Sequence, residues 1–222
     1  DWVQDPNMKI KNNNPHYLWL YPPNAKVVAR KIAEVMSEID RSNADYYRDR
    51  VEEFERNLED LESFLLEVKK IVNFKDESVL LVADHFEPLI EWMGLNITYV
   101  VARGEAPPAS QDVSVATKKA KECALIIVST TQSEGDEGRI GKQISEESGT
   151  PIAYLYGIPM SEDDDYFNFI KRNVIIIAGR LAEQVSTRTG SAGFDIFLVS
   201  TIALAVVAVL EGIAILKLRR SE

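Results

Sequence analysis

From Ser42 to Val72 the chain runs for about 30 residues without glycine or proline, long enough for a helix of roughly 45 Å at 1.5 Å per residue. Its apolar residues fall at Tyr47, Val51, Phe54, Leu58, Leu61, Leu65, Val68 and Val72. Steps of four and three alternate, which lays one continuous stripe along a helix and leaves Glu, Asp, Arg and Lys on the other faces. Ser42, with Asp45 three residues on, reads as a capping box that marks the start. A coiled-coil strand would show the same spacing. Past Val72, however, strand and helix patterns alternate, and a strut joining two lobes of one chain fits that better.

Beyond the strut, Ser78–Ala83, Ile97–Val101, Ala124–Val128 and Ile152–Leu155 are short, unbroken apolar runs, the mark of strands covered on both faces. Between and after them lie helical patterns near Glu87–Met93, Gln111–Glu122, Glu137–Glu147 and Asp165–Gln184. Successive strand–helix units of this length predict a parallel sheet with right-handed crossovers. The expected fold is therefore α/β, with a parallel-sheet C-terminal lobe over 74–185 attached to a long linker helix over 42–73. Residues 1–41 precede it as the end of an N-terminal lobe. In that part Asp1 to Asn14 reads as loop, and Pro15 to Asn24 is too rich in proline for a long helix. Asn24 then caps a helix through Ile39, with Ala25, Val28, Ala29, Ile32, Val35, Met36 and Ile39 on one face.

A net charge of −10 over 222 residues argues against a nucleic-acid partner, since phosphate binding needs a basic surface. The single cysteine, Cys123, beside the apolar run Ala124–Val128, reads as a buried packing residue. The chain opens with Asp1 and no signal peptide, as a processed product or a fragment would. Ser186–Gly193 is small and polar, so 186–194 reads as a tether. Ile196 to Leu216 carries Glu211 as its one charge and has about the length that crosses ~30 Å of hydrocarbon. A single transmembrane helix over 195–218 is expected, and a buried core helix is the alternative. Lys217, Arg219 and Arg220 put the C-terminus in the cytoplasm and the rest outside the cell membrane. Glu211 marks a contact within the membrane or snorkels toward Lys217.

In an open parallel sheet, ligands bind outside the carboxyl ends of the strands. The loops at those ends are Asp84–Pro88, Ala102–Ser110, Ser129–Asp136 and Tyr156–Asp164. Of two histidines in the chain, His85 stands in the first of these loops and His16 in the proline-rich segment before the strut. Two imidazoles on either side of a rigid helix suit a metal held between lobes, and ordinary hydrogen-bonded histidines are the other reading. Glu134-Gly135-Asp136-Glu137-Gly138 lacks the lysine of a phosphate loop. The acidic run Glu162–Asp165 precedes a helix and reads as its cap. No activated nucleophile or acid–base pair is evident, so no enzyme is expected.

The segment NPHYLWLYPPNAKVVARKIAEVMSEID and the subsequent NADYYRDRVEEFERNLEDLE resemble the "DPHxWLDPxNA…IA…L" segment and long helix of the zinc/manganese class of metal-binding solute receptors of ABC importers. GEAPPASQDV is similar to that family's "GxEPSAxD" loop, and ALIIV, Gln132 and ISEESGTPIAYL to its "vFvEpQ…IAxExG" run. The resemblance spans most of Asn14 to Gln184. It implies two α/β lobes joined by the long helix, with Zn2+ or Mn2+ bound between them. It makes His16 and His85 metal ligands, and implies delivery of the ion to an ABC permease. The family's N-terminal lobe, with an early His ligand, would stand before residue 1. Where the family has an Asp ligand after the last strand, this chain reads Leu155-Tyr156-Gly157. Glu87, Glu134, Asp136 and Tyr156 are the candidates for further ligands. Two alternatives stand beside this reading. One is the same architecture, without its metal site, holding another small solute; the other is a surface-anchored adhesion or scaffold module.

Overall fold

The computed structural model describes residues 5–10, 17–72, 74, 77–104 and 108–189. His16, the first half-site of the metal reading, lies outside them, as do Glu211 and the whole 195–218 span. Among the described residues no helix is long and apolar enough to cross a membrane.

Two helices come first, α1 (Pro22–Ile39) and α2 (Ala44–Val72). α2 bears out one long, uninterrupted helix, and its apolar stripe divides in two. Leu58, Leu61, Phe64, Leu65, Val68 and Val72 are buried in the C-terminal lobe, whereas the first half packs along α1. Glu55 holds the pair together by accepting from Arg30 and binding Lys26 at 3.3 Å. Ile32, Val35, Met36 and Ile39, part of the apolar face expected on α1, stay exposed.

Both caps read from the sequence differ. Ser42 does not cap α2: residues Arg41–Asn43 form a 3-10 turn, and the Ser42 hydroxyl donates to Asp40 Oδ1 at 2.7 Å. Asn43 Nδ2 and the Tyr47 hydroxyl reach the other oxygen of Asp40, at 2.7 and 3.1 Å. The carboxylate ending α1 is a closer acceptor than a free backbone, so the corner is built around it. Asn24 likewise sits inside α1, which starts at Pro22 because proline suits the first turn, where its missing N–H costs nothing. The Asn24 side chain is fully buried and serves another purpose. It accepts from Lys9 N at 2.8 Å and donates to Lys9 O at 2.8 Å and Leu18 O at 3.1 Å.

The lobe contains β1 (Ser78–Ala83), α3 (Glu87–Met93), β2 (Asn96–Ala102), α4 (Ser110–Ala120), β3 (Leu125–Ser129), α5 (Asp136–Ser148), β4 (Ile152–Leu155) and α6 (Tyr166–Thr189). The strands are all parallel, in the order β2-β1-β3-β4. Alternate residues serve opposite layers. Val79, Leu81, Leu125 and Ile127 face α2, α3 and α6, whereas Leu80, Val82, Ile126 and Val128 face α4 and α5. Cys123 is buried in the second layer, as expected. Asp165 caps α6, its carboxylate accepting from Asn168 N at 2.7 Å. The helix continues through Thr189, so the backbone over 186–189, the start of the expected tether, is helical.

Candidate metal site

Strand order places the site. The chain leaves β1 for β2 on one side and returns for β3 and β4 on the other, so the connections reverse between β1 and β3. Such a switch point parts the loops at the carboxyl ends and opens a crevice there. The turn Asp84–Phe86 follows β1 and carries His85; the turn Thr130–Gln132 and then α5 follow β3.

The first turn of α5 lies close against the sheet because two glycines allow it. A Cβ on Gly138 would come 1.9 Å from Ser133 O, and one on Gly141 would come 2.6 Å from Val128 Cγ2. That approach turns Glu137 inward. Its Oε1 accepts from Ser129 N at 2.7 Å, and its Oε2 lies 3.9 Å from His85 Nδ1. The side chain of Glu137 is only 10% exposed. Burial pushes its carboxyl above the usual carboxylate range, and the Ser129 N–H and His85 pull the other way.

The segment before α1 supplies the opposite wall. Tyr17 takes a left-handed backbone conformation, φ 59° and ψ 17°, unusual for a residue with a side chain. Its ring lies 4.5 Å, centroid to centroid, from the His85 imidazole. The loop after β4 closes on the same segment: Trp19 Nε1 donates to Gly157 O at 3.4 Å, and the Tyr166 hydroxyl donates to Trp19 O at 2.7 Å. The turns after β1 and β4 thus meet the segment that begins at Tyr17, and α5, which follows β3, reaches the same imidazole through Glu137.

Of the candidate ligands among the described residues, only His85 is part of this convergence by its side chain. Glu87 is buried and paired with Arg103. Glu134 is exposed and 3.4 Å from Lys142, and Asp136 is exposed and paired with Arg139. Tyr156 lies beneath the Arg172 guanidinium, 5.4 Å from its ring, and its backbone is clamped by Asn173, whose amide bonds Tyr156 N at 2.9 Å and Tyr156 O at 2.8 Å. Among the described residues no three His, Cys, Asp or Glu side chains gather as a metal-holding group. Glu137 escaped the sequence reading. The acidic stretch was legible, but helical phase decides which acid turns inward, and that phase depends on α5 starting at Asp136.

Comparison with known proteins agrees with the fold. The family model described as ZnuA, zinc-uptake complex component A periplasmic, matches residues 3–179. No curated protein matches the chain by sequence. Among solved structures, the Cd-bound periplasmic metal binding protein from Candidatus Liberibacter asiaticus is 17% identical, with a TM-score of 0.61 over 77% of this chain and 69% of that one. The SBP FpvC from Pseudomonas aeruginosa in complex with Mn2+ is 20% identical, with a TM-score of 0.62 over 82% and 69%. The same protein in complex with Ni2+ gives 20% and 0.64 over 82% and 67%. At these identities the likeness concerns the fold. The family match runs over most of the 222 residues, and on that ground this chain belongs to the ZnuA family of periplasmic zinc-uptake components, which are metal-binding receptors and not enzymes.

Proposed function

We propose that the chain captures Zn2+ or Mn2+ in the crevice between the Tyr17 segment and the carboxyl ends of β1 and β3, with His16 and His85 as imidazole ligands. The observation that carries this is the contact of Tyr17, the residue directly after His16, with the His85 ring. Residues far apart in sequence, one at each candidate histidine, meet there. Family membership supports the cation as the cargo, as do the Mn2+, Ni2+ and Cd2+ complexes of structurally similar proteins. Delivery to an ABC permease completes the reading. A helix over 195–218 anchors the receptor to the cell membrane, with the lobe outside and the C-terminus in the cytoplasm.

The chemistry is capture and release. Imidazole binds a metal only in its neutral form, so uptake displaces protons and weakens in acid. Calorimetric titration with Zn2+ and Mn2+ tests the site. Binding should be lost in His16→Ala and in His85→Ala, and binding that survives the double substitution removes the proposal.

A second reading rests on Leu155-Tyr156-Gly157 standing where the resembled family has its Asp ligand. The same architecture would then hold a different small solute. Elemental analysis of the purified protein separates the two, because a metal receptor carries a stoichiometric ion.

A further inference from the structure

We propose that Glu137 is a metal ligand, the carboxylate that works with His85 on the sheet side of the cation site. This rests on the metal reading above and adds a residue that the family resemblance does not supply.

Three observations lead to it. The first is geometry. Ligands on one ion with bonds of about 2.1 Å stand about 3.4 Å apart in a tetrahedral site. Glu137 Oε2 and His85 Nδ1 are 3.9 Å apart, so a small rotamer adjustment lets both bind one ion. The second is burial without full compensation. The carboxylate is nine-tenths enclosed, and it meets one backbone N–H and the imidazole, with no Lys or Arg in an ion pair to it among the described residues. A buried carboxylate in that state gains from a divalent cation. The third is that the other acids near the crevice are engaged. Arg103 holds Glu87, while Glu134 and Asp136 lie in solvent beside Lys142 and Arg139. The loop after β4 brings Tyr156 and Gly157 to this end of the sheet. The carboxylate comes instead from the first turn of α5, one strand nearer the switch point. A mixed imidazole and carboxylate set suits Zn2+ and Mn2+.

The test uses the intact chain and Zn2+ itself, with Co2+ as a spectroscopic probe, and compares Glu137→Gln, Glu137→His and His85→Ala. Gln keeps an acceptor for Ser129 N, and thermal melts of the metal-free variants check folding. A ligand role predicts that Glu137→Gln weakens Zn2+ binding by about 100-fold or more, the upper end of what losing an outer partner costs. Glu137→His, which replaces one ligand with another, should regain at least about tenfold of that and shift the visible Co2+ bands. If Glu137→Gln binds within about tenfold of the parent while His85→Ala does not bind, Glu137 only positions the imidazole and the inference fails. If His85→Ala also binds normally, the metal site itself is elsewhere and both readings fall together.

Discussion

Arg103, just past the end of β2, holds Glu87 with both terminal nitrogens, Nη2 to Oε1 at 2.8 Å and Nη1 to Oε2 at 3.0 Å. Glu87 opens α3 two residues after His85, and its side chain is 5% exposed against 49% for Arg103. The pair staples β2 to the turn that presents the imidazole. Removing one partner of a buried pair leaves an uncompensated charge, which costs about 3–5 kcal/mol when both are enclosed. The guanidinium here is half in solvent, so Arg103→Ala is expected to cost about 2–3 kcal/mol, read from urea unfolding. A loss below about 0.5 kcal/mol would show the staple to be ornamental.

Asn24 ties the segment at Lys9 and the turn at Leu18 to α1 with one buried amide. Asn24→Ala leaves three backbone groups without that partner, so a loss of about 2–4 kcal/mol is expected. Asn24→Asp should be nearly as harmful, because it keeps the acceptor for Lys9 N and loses both donations. Equal stability of Asn24→Asp and the parent protein would contradict this.

Gly138→Ala forces a methyl into Ser133 O, a backbone atom that has no rotamer to escape by. We expect a destabilisation of about 2–4 kcal/mol, which outweighs the roughly 1 kcal/mol by which alanine normally helps a helix. Weaker Zn2+ binding should accompany it, because the start of α5 carries Glu137. A Gly138→Ala protein as stable as the parent would mean that the turn after β3 gives way freely.

Acid stability should depend on Asp164. Bonds from Arg172, at 2.7 Å to each oxygen, and then from Met160 N at 2.8 Å hold its carboxyl below the usual range. A carboxylate with a lowered folded value adds stability that is complete above its unfolded value of about 3.9 and disappears as pH falls through the folded one. The parent should therefore lose stability below about pH 4 more steeply than Asp164→Asn. Identical slopes in the two proteins, from thermal melts between about pH 2 and pH 7, would exclude the linkage.

The long helix and the four strands were legible because their periodicity is written locally. The 4-and-3 stripe from Tyr47 to Val72 is a single helix whose second half is buried, and each apolar run is a strand, with β1 and β3 covered on both faces and the edge strands β2 and β4 partly open. Capping was less legible. Ser42 and Asn24 have the side chains of caps, yet Asp40 outcompetes the backbone for Ser42, and Asn24 is claimed by Lys9 and Leu18. Short polar side chains bond whatever the fold brings near them.

The site divides along the same line. By itself the sequence determined that His85 follows a strand at the carboxyl end of a parallel sheet, since strand–helix alternation decides which end the loops occupy. Only the tertiary structure decided that β1 lies beside β3, that Tyr17 meets His85, and that Glu137, rather than Glu134 or Asp136, turns into the crevice. Strand order and helical phase are set by packing between residues distant in the chain. Local patterns hold no record of such contacts.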